Sequence, residues 1–144
     1  MPFFSFHIGG ALFVGLGCYL CFRPDTYISQ SVYNLFGLEG EAFGLEGVVP
    51  EWARGFFCNF FSDMLWSYAL AFTVYLILGA FNRSFVSTLF ICAVFEVGME
   101  ALQKIGIISG TFDFWDIILE VFSTVIALLI IKLHFREKHH EKNQ

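Results

Sequence analysis

Charge is scarce in this chain. Of 144 residues only 15% are Asp, Glu, Lys or Arg, and only 8 are basic. A formal net charge of −5, with one short basic run, excludes a nucleic-acid partner, which needs a basic stripe against phosphate. Proline is rare too, three in all, so little interrupts long helices. The four cysteines, Cys18, Cys21, Cys58 and Cys92, lie within or at the edge of apolar stretches. Cys18 and Cys21 form a C-x-x-C, but no further ligand is near them, so they read as small apolar filler and imply no disulfide. No Ser-His nucleophile pair, H-E-x-x-H or phosphate-cradling glycine loop is present, which leaves catalytic residues unidentified.

Apolar side chains are what the chain has in excess: 57% of residues, 20 of them Phe, for a mean hydropathy of +0.68. A soluble domain of this size cannot hide that much apolar surface, so the bilayer is the natural solvent. Four stretches stand out, at about 6–22, 56–81, 85–103 and 115–135. Each is near the ~20 residues that cross ~30 Å of hydrocarbon at 1.5 Å per residue. In hydrocarbon the backbone must satisfy its own hydrogen bonds, so these are helices. The expected fold is all-α: a polytopic membrane protein, a four-helix transmembrane bundle (1–135) with a long first extracytoplasmic loop. That loop, 23–55, is interfacial, and a basic cytoplasmic tail follows at 136–144. The first stretch lacks a basic leader and a small-x-small cleavage site, and reads as a retained helix.

Four helices put both termini on one side. Lys132, Arg136, Lys138, Lys142 and Arg83 fall there, while Arg23, Arg54 and Lys104 fall opposite. The positive-inside rule then favours cytoplasmic termini. The tail, with its His139–His140 pair, is expected to be solvated and disordered.

In the first loop, "DTYISQSVYNLFG" carries an apolar stripe of Tyr27, Ile28, Val32, Leu35 and Phe36. Asp25 or Thr26 can cap it and Gly37 can stop it. A short helix is expected, along the membrane surface or over the bundle. "LFGLEGEAFGLEG" (residues 35–47) then repeats F-G-L-E-G at a spacing of seven. Each Gly costs a helix about 1 kcal/mol against Ala, so this segment reads as an interfacial connector or a lid over a site. "PEWARGFF" opens the second membrane helix: Pro50 suits the first turn, Glu51 the positive helix end, and Trp52 and Arg54 the headgroup zone.

A charge inside a span costs about 2.5–3.5 kcal/mol on insertion scales, so the acids here need a reason. Asp63 lies about two turns into the second helix. Glu96, Glu100 and Gln103 follow i, i+4, i+7 on the third, and Asp113, Asp116 and Glu120 follow i, i+3, i+7 at the start of the fourth. Each set shares one helix face. The second helix starts where the first loop ends, and the third ends where the fourth starts. Connectivity therefore brings all of these residues toward one membrane face, the outer one if the termini are cytoplasmic. Glu96 lies one turn, ~5 Å, deeper than Glu100. Arg23, Arg54 and Lys104 cannot neutralise six carboxylates one for one.

Three outcomes are physically open. Some acids carry protons, since burial and like-charge neighbours favour the neutral form. The site takes a divalent cation, which hard carboxylate oxygens suit. Or it takes a cationic or polyhydroxylated head group. Against these stands a structural role, with the acids tying helices together and the outermost solvated; that reading fits Asp113 best. For Asp63, Glu100 and Asp116 together a functional cavity is expected, walled by Glu100, Gln103, Asp116 and Glu120 and floored by Glu96.

"EALQ" (residues 100–103), a short loop and then "GTFDFWD" (residues 110–116) at the start of the next helix resemble the VanZ-like family of small bacterial membrane proteins. "SDMLWSYALAF", with Asp63, is similar to the acid-bearing helix that precedes them there. The resemblance covers residues 60–129. It implies a cell-envelope context and a link to glycopeptide antibiotic resistance. The chain departs from the family at Gly110, where Arg is usual, at Glu120 for Asn, at Ser123 for Gly and at Ser67 for His. Its site is thus more acidic and less basic than the family pattern.

Three functions compete. The first is an intramembrane site acting on a lipid-linked or envelope ligand, with one carboxylate as base or metal ligand and a neighbour as acid. The second is a small cation or proton channel or transporter, as a homo-oligomer; no acid marks the inner half of any helix. The third is an accessory subunit bound to a membrane partner through the small residues Gly9, Gly10, Ala11, Gly15 and Gly17.

Overall fold

The computed structural model describes residues 2–22, 27–37, 49–79, 85–108 and 112–141. Six α-helices account for nearly all of them: α1 (Pro2–Phe22), α2 (Tyr27–Phe36), α3 (Glu51–Phe56), α4 (Ser62–Leu78), α5 (Phe85–Lys104) and α6 (Phe114–Glu141). No strand occurs among the described residues. Three helices, Pro2–Phe22, Phe85–Lys104 and the Phe114–Arg136 part of α6, are long and apolar enough to cross a membrane. The chain is an all-α membrane-embedded protein in that sense. Its outer surface agrees, since Phe6, Phe13, Val86 and Phe90 are all at least two-thirds exposed. In water such a surface would drive association; in lipid it is solvated.

α3 runs into α4 through a π-helical turn, Phe57–Phe61, so the helical path from 51 to 78 is unbroken. A π turn inserts one residue into the ladder and rotates everything beyond it, and such turns gather at functional sites. This one sits directly before Ser62 and Asp63. α4 is the hub of the bundle, packing against α1, α5 and α6. Its Ala71, Phe72 and Tyr75 form the apolar core with Phe4, Cys92, Ala127, Leu128 and Ile131. α1 and α4 approach closely at Gly15, where an added Cβ would lie 3.4 Å from Leu65 Cβ and 3.8 Å from the Ser62 carbonyl. Gly9, Gly10 and Gly17 have open space around them, so only Gly15 among the α1 glycines is used by the fold itself.

Several boundaries differ from the sequence reading. α1 begins at Pro2 rather than near 6, because Pro suits a first helical turn and Phe4 is needed in the core. The second membrane helix reaches back to Glu51 and ends at Leu78 rather than 81, with Gly79 at its C-cap. α6 continues to Glu141, so most of the expected disordered tail is helical; Arg, Glu and Lys propagate a helix well and no proline stops it. α2 occupies the expected position. It is held by Tyr33, only 2% exposed, whose hydroxyl donates to the Leu20 carbonyl at 2.6 Å, one of the carbonyls α1 leaves without a helical partner. The repeat at 36–47 beyond Phe36 and Gly37, the caps Asp25 and Thr26, and Arg23, Arg83, Gly110, Thr111 and Lys142 lie outside the described residues.

Two local devices position the end of the bundle opposite the termini. α5 closes in a Schellman motif: Gly106, at φ 74°, donates to the Gln103 carbonyl at 2.9 Å, and Ile107 donates to Leu102 at 3.0 Å. Positive φ is the region a Cβ disfavours, so Gly106 is where the chain can turn. α6 opens on Asp113 as N-cap, its Oδ1 accepting the Trp115 N–H at 2.9 Å.

Candidate functional site

The acids converge. Asp63 of α4, Glu96 and Glu100 of α5, and Asp116 of α6 all act electrostatically on the Glu120 carboxyl. Among the described residues, each charge resolved as acting on Glu120 is another acid. Helical period explains the convergence: Thr88, Cys92, Glu96 and Glu100 form one buried stripe at i, i+4 on α5, and Asp116, Glu120 and Thr124 form its counterpart on α6. α4 closes the third side with Ser62, Asp63 and Ser67.

Glu96 is the deepest member and is 2% exposed. Its Oε1 accepts from the Thr124 hydroxyl at 2.8 Å, across 28 residues of chain, and Ser67 of α4 lies beside the same carboxyl. Its Oε2 is buried with no hydrogen-bond partner. Glu120 Oε2 is likewise buried and without a donor. Such oxygens forfeit water without replacement, at about 1–3 kcal/mol apiece and more when charged. A buried oxygen left in this way calls for an explanation: a proton on the group, an ordered water or a ligand donor.

Glu100, 4% exposed, is spent differently. Its Oε2 accepts the Asp113 backbone N–H at 3.2 Å and so ties the end of α5 to the start of α6. Asp113 is thereby occupied twice, by its amide and by its capping carboxylate, and is a structural residue at the start of α6. Asp63 Oδ1 accepts from Ser62 at 3.3 Å. Ser123 donates to the Met64 carbonyl at 2.5 Å and fastens α6 to α4 beside the acids. Gln103 is half-buried at the helix end; its side chain forms no hydrogen bond among the described residues, and its part here is the backbone carbonyl that Gly106 uses. Lys104 lies over the Phe112 ring, 4.8 Å from its centre, at the rim.

Thr124, Ser123 and Ser67 were not among the residues that sequence spacing singled out. Thr124 could have been found, since it continues the Asp116–Glu120 face by one more i+4 step. Among the described residues no three His, Cys, Asp or Glu side chains are grouped to hold a metal ion. The described cysteines Cys18, Cys21 and Cys92 are free thiols.

Comparison with models of known families, with characterised proteins and with solved structures finds no match to this chain.

Proposed function

We propose that this chain is a four-span protein of the bacterial cell envelope whose acidic site, open toward the face opposite the termini, holds a cationic or hydroxyl-rich ligand. The head group of a lipid-linked envelope molecule has the required chemistry. One observation carries this reading: the Oε2 atoms of Glu96 and Glu120 are buried without donors in a site whose resolved charges around Glu120 are all acidic. A ligand with ammonium or hydroxyl donors supplies what the protein withholds. The helix α4, Ser62–Leu78, shorter than the other spans, crosses with the π turn and α3 adding length. Five of the eight basic residues fall on the terminal side, which supports cytoplasmic termini. The envelope context rests on the sequence resemblance of residues 100–103 and 110–116 to the VanZ-like family, although no family model matches this chain. With no metal-holding group among the described side chains, an organic ligand is the better fit than a coordinated divalent ion.

The test is retention. The protein, extracted directly in native lipid particles, is compared with Glu96→Gln/Glu120→Gln by native mass spectrometry. A small molecule or lipid carried in fixed stoichiometry by the parent and missing from the double variant is the expected result. Identical bound species on both proteins would refute the site.

A further inference from the structure

The terminal side of the bundle has the opposite chemistry to the acidic end. Between α5 and α6 lies a groove of about 270 Å³, lined by apolar side chains and one cation. Leu128, 7% exposed, lies at its base and belongs to the core. Val86 and Leu89 of α5 face Val125 and Leu129 of α6 across it, and Lys132 is the only charged residue in the lining.

Helical spacing extends the pattern. Val125, Leu128, Leu129, Lys132 and Arg136 follow i, i+3, i+4, i+7, i+11, one face of α6 that turns from apolar to basic toward its end. Lys132 lies about 10 Å beyond Val125 along the axis, and Arg136 about 16 Å beyond it. Half of a ~30 Å hydrocarbon core is about 15 Å. The face is therefore about one leaflet deep, and Arg136 ends the part of α6 that is apolar enough to cross a membrane. From Lys132, one turn inside, a long side chain can reach the head-group level.

The protein does not neutralise these cations. Both are exposed, and no Asp or Glu stands three or four residues from either along the helix. Residues 85–95 of α5, opposite, contain no charge at all. Neither Lys132 nor Arg136 forms an ion pair or hydrogen bond among the described residues.

We propose that this groove binds one anionic phospholipid of the terminal-side leaflet, with an acyl chain against Leu128 and the phosphate between Lys132 and Arg136. Any exposed apolar face meets bulk lipid. Selection comes from a concave apolar seat that leads to two cations without acid partners. Arg offers phosphate a planar fork and Lys a point charge. A zwitterionic head group brings its own ammonium to the same cations and gains less. One basic residue near the membrane surface favours an anionic lipid by about fivefold. The proposal does not depend on the acidic site, which lies at the other end of the same two helices.

The experiment reconstitutes the purified full chain in phosphatidylcholine vesicles. They hold a trace of phosphatidylglycerol with a photoreactive diazirine on its acyl chain. After illumination, adducts are mapped by peptide mass spectrometry. Adducts concentrated on residues 85–89 and 125–129 are expected, and they should fall when unlabelled phosphatidylglycerol replaces part of the phosphatidylcholine. Lys132→Gln/Arg136→Gln is expected to cut this labelling by about tenfold or more. Leu129→Trp, which fills the groove and keeps both charges, should remove it as well. Both variants alter exposed positions, and unchanged helicity and elution verify the fold. Adducts spread evenly over exposed faces such as that of Phe6 and Phe13, or labelling that survives loss of both charges, overturns the site. Labelling that survives Leu129→Trp also overturns it, because surface charge alone would then account for the lipid. Disulfides between copies through Val86→Cys, in a chain whose native cysteines are Ala, would make the groove an interface between protomers and refute the lipid reading.

Discussion

Glu96 divides its carboxyl between two duties. Oε1 is held by Thr124, and Oε2 has no donor. Fixing one oxygen orients the other, as second partners do for catalytic and metal-binding carboxylates. Removing the fixed half should therefore hurt more than the loss of one hydroxyl suggests. Thr124→Val leaves Glu96 with a second unsatisfied oxygen and is expected to destabilise the bundle by about 1–2 kcal/mol. Thr124→Ser keeps the donor and should cost less. Thermal unfolding of both variants in the same detergent reads the difference; equal loss would mean that the methyl group, not the hydrogen bond, matters there.

Helix against helix, the small residues of α1 separate cleanly. Gly15 lies against Leu65 and the Ser62 backbone, next to the π turn that aims Asp63, while Gly10 faces open space. A larger side chain at Gly15 must push α1 from α4, and overpacking of this kind costs about 1–3 kcal/mol. Gly15→Leu is accordingly expected to lower the unfolding temperature and to disturb the acidic site, with Gly10→Leu close to neutral in an isolated protomer. If Gly10→Leu instead abolishes a homo-oligomer seen by cross-linking in membranes, the open glycines serve contacts between chains. The ends of α5 and α6 are similarly coupled: Gly106 turns the chain, Asp113 caps α6, and Glu100 reaches the Asp113 amide.

At the scale of the whole molecule, the polarity of the site depends on which way the bundle sits. With cytoplasmic termini the acids face outward, toward the envelope. In a chain whose native cysteines are replaced by Ala, Glu41→Cys in the first loop should react with a membrane-impermeant maleimide in intact cells. Asn143→Cys should react only after permeabilisation. The reverse pattern would invert the protein and place the acidic mouth in the cytoplasm. Either topology leaves the acids near one end and Lys132 and Arg136 toward the other, because connectivity and helix direction set that order.

Composition and periodicity were enough to place the chain in a membrane, to find its apolar stretches, and to gather Asp63, Glu96, Glu100, Asp116 and Glu120. Each depends on spacing along a helix, which is local: an i, i+4 repeat defines a face whatever that face meets. What a face meets is not local. Thr124 finds Glu96 across 28 residues, Ser123 finds Met64 across 59, and Tyr68 finds His7 across 61. These pairings follow from how far each helix is rotated and shifted against its neighbours, which the Gly15 contact, the π turn and the core around Phe72 decide together. The same packing left Gln103 without a side-chain partner among the described residues and made a cap of Asp113, although their spacing matched that of the acids. Spacing alone determined that this protein holds carboxyls in a membrane; only the packing of α1, α4, α5 and α6 decided which of their oxygens stay unsatisfied.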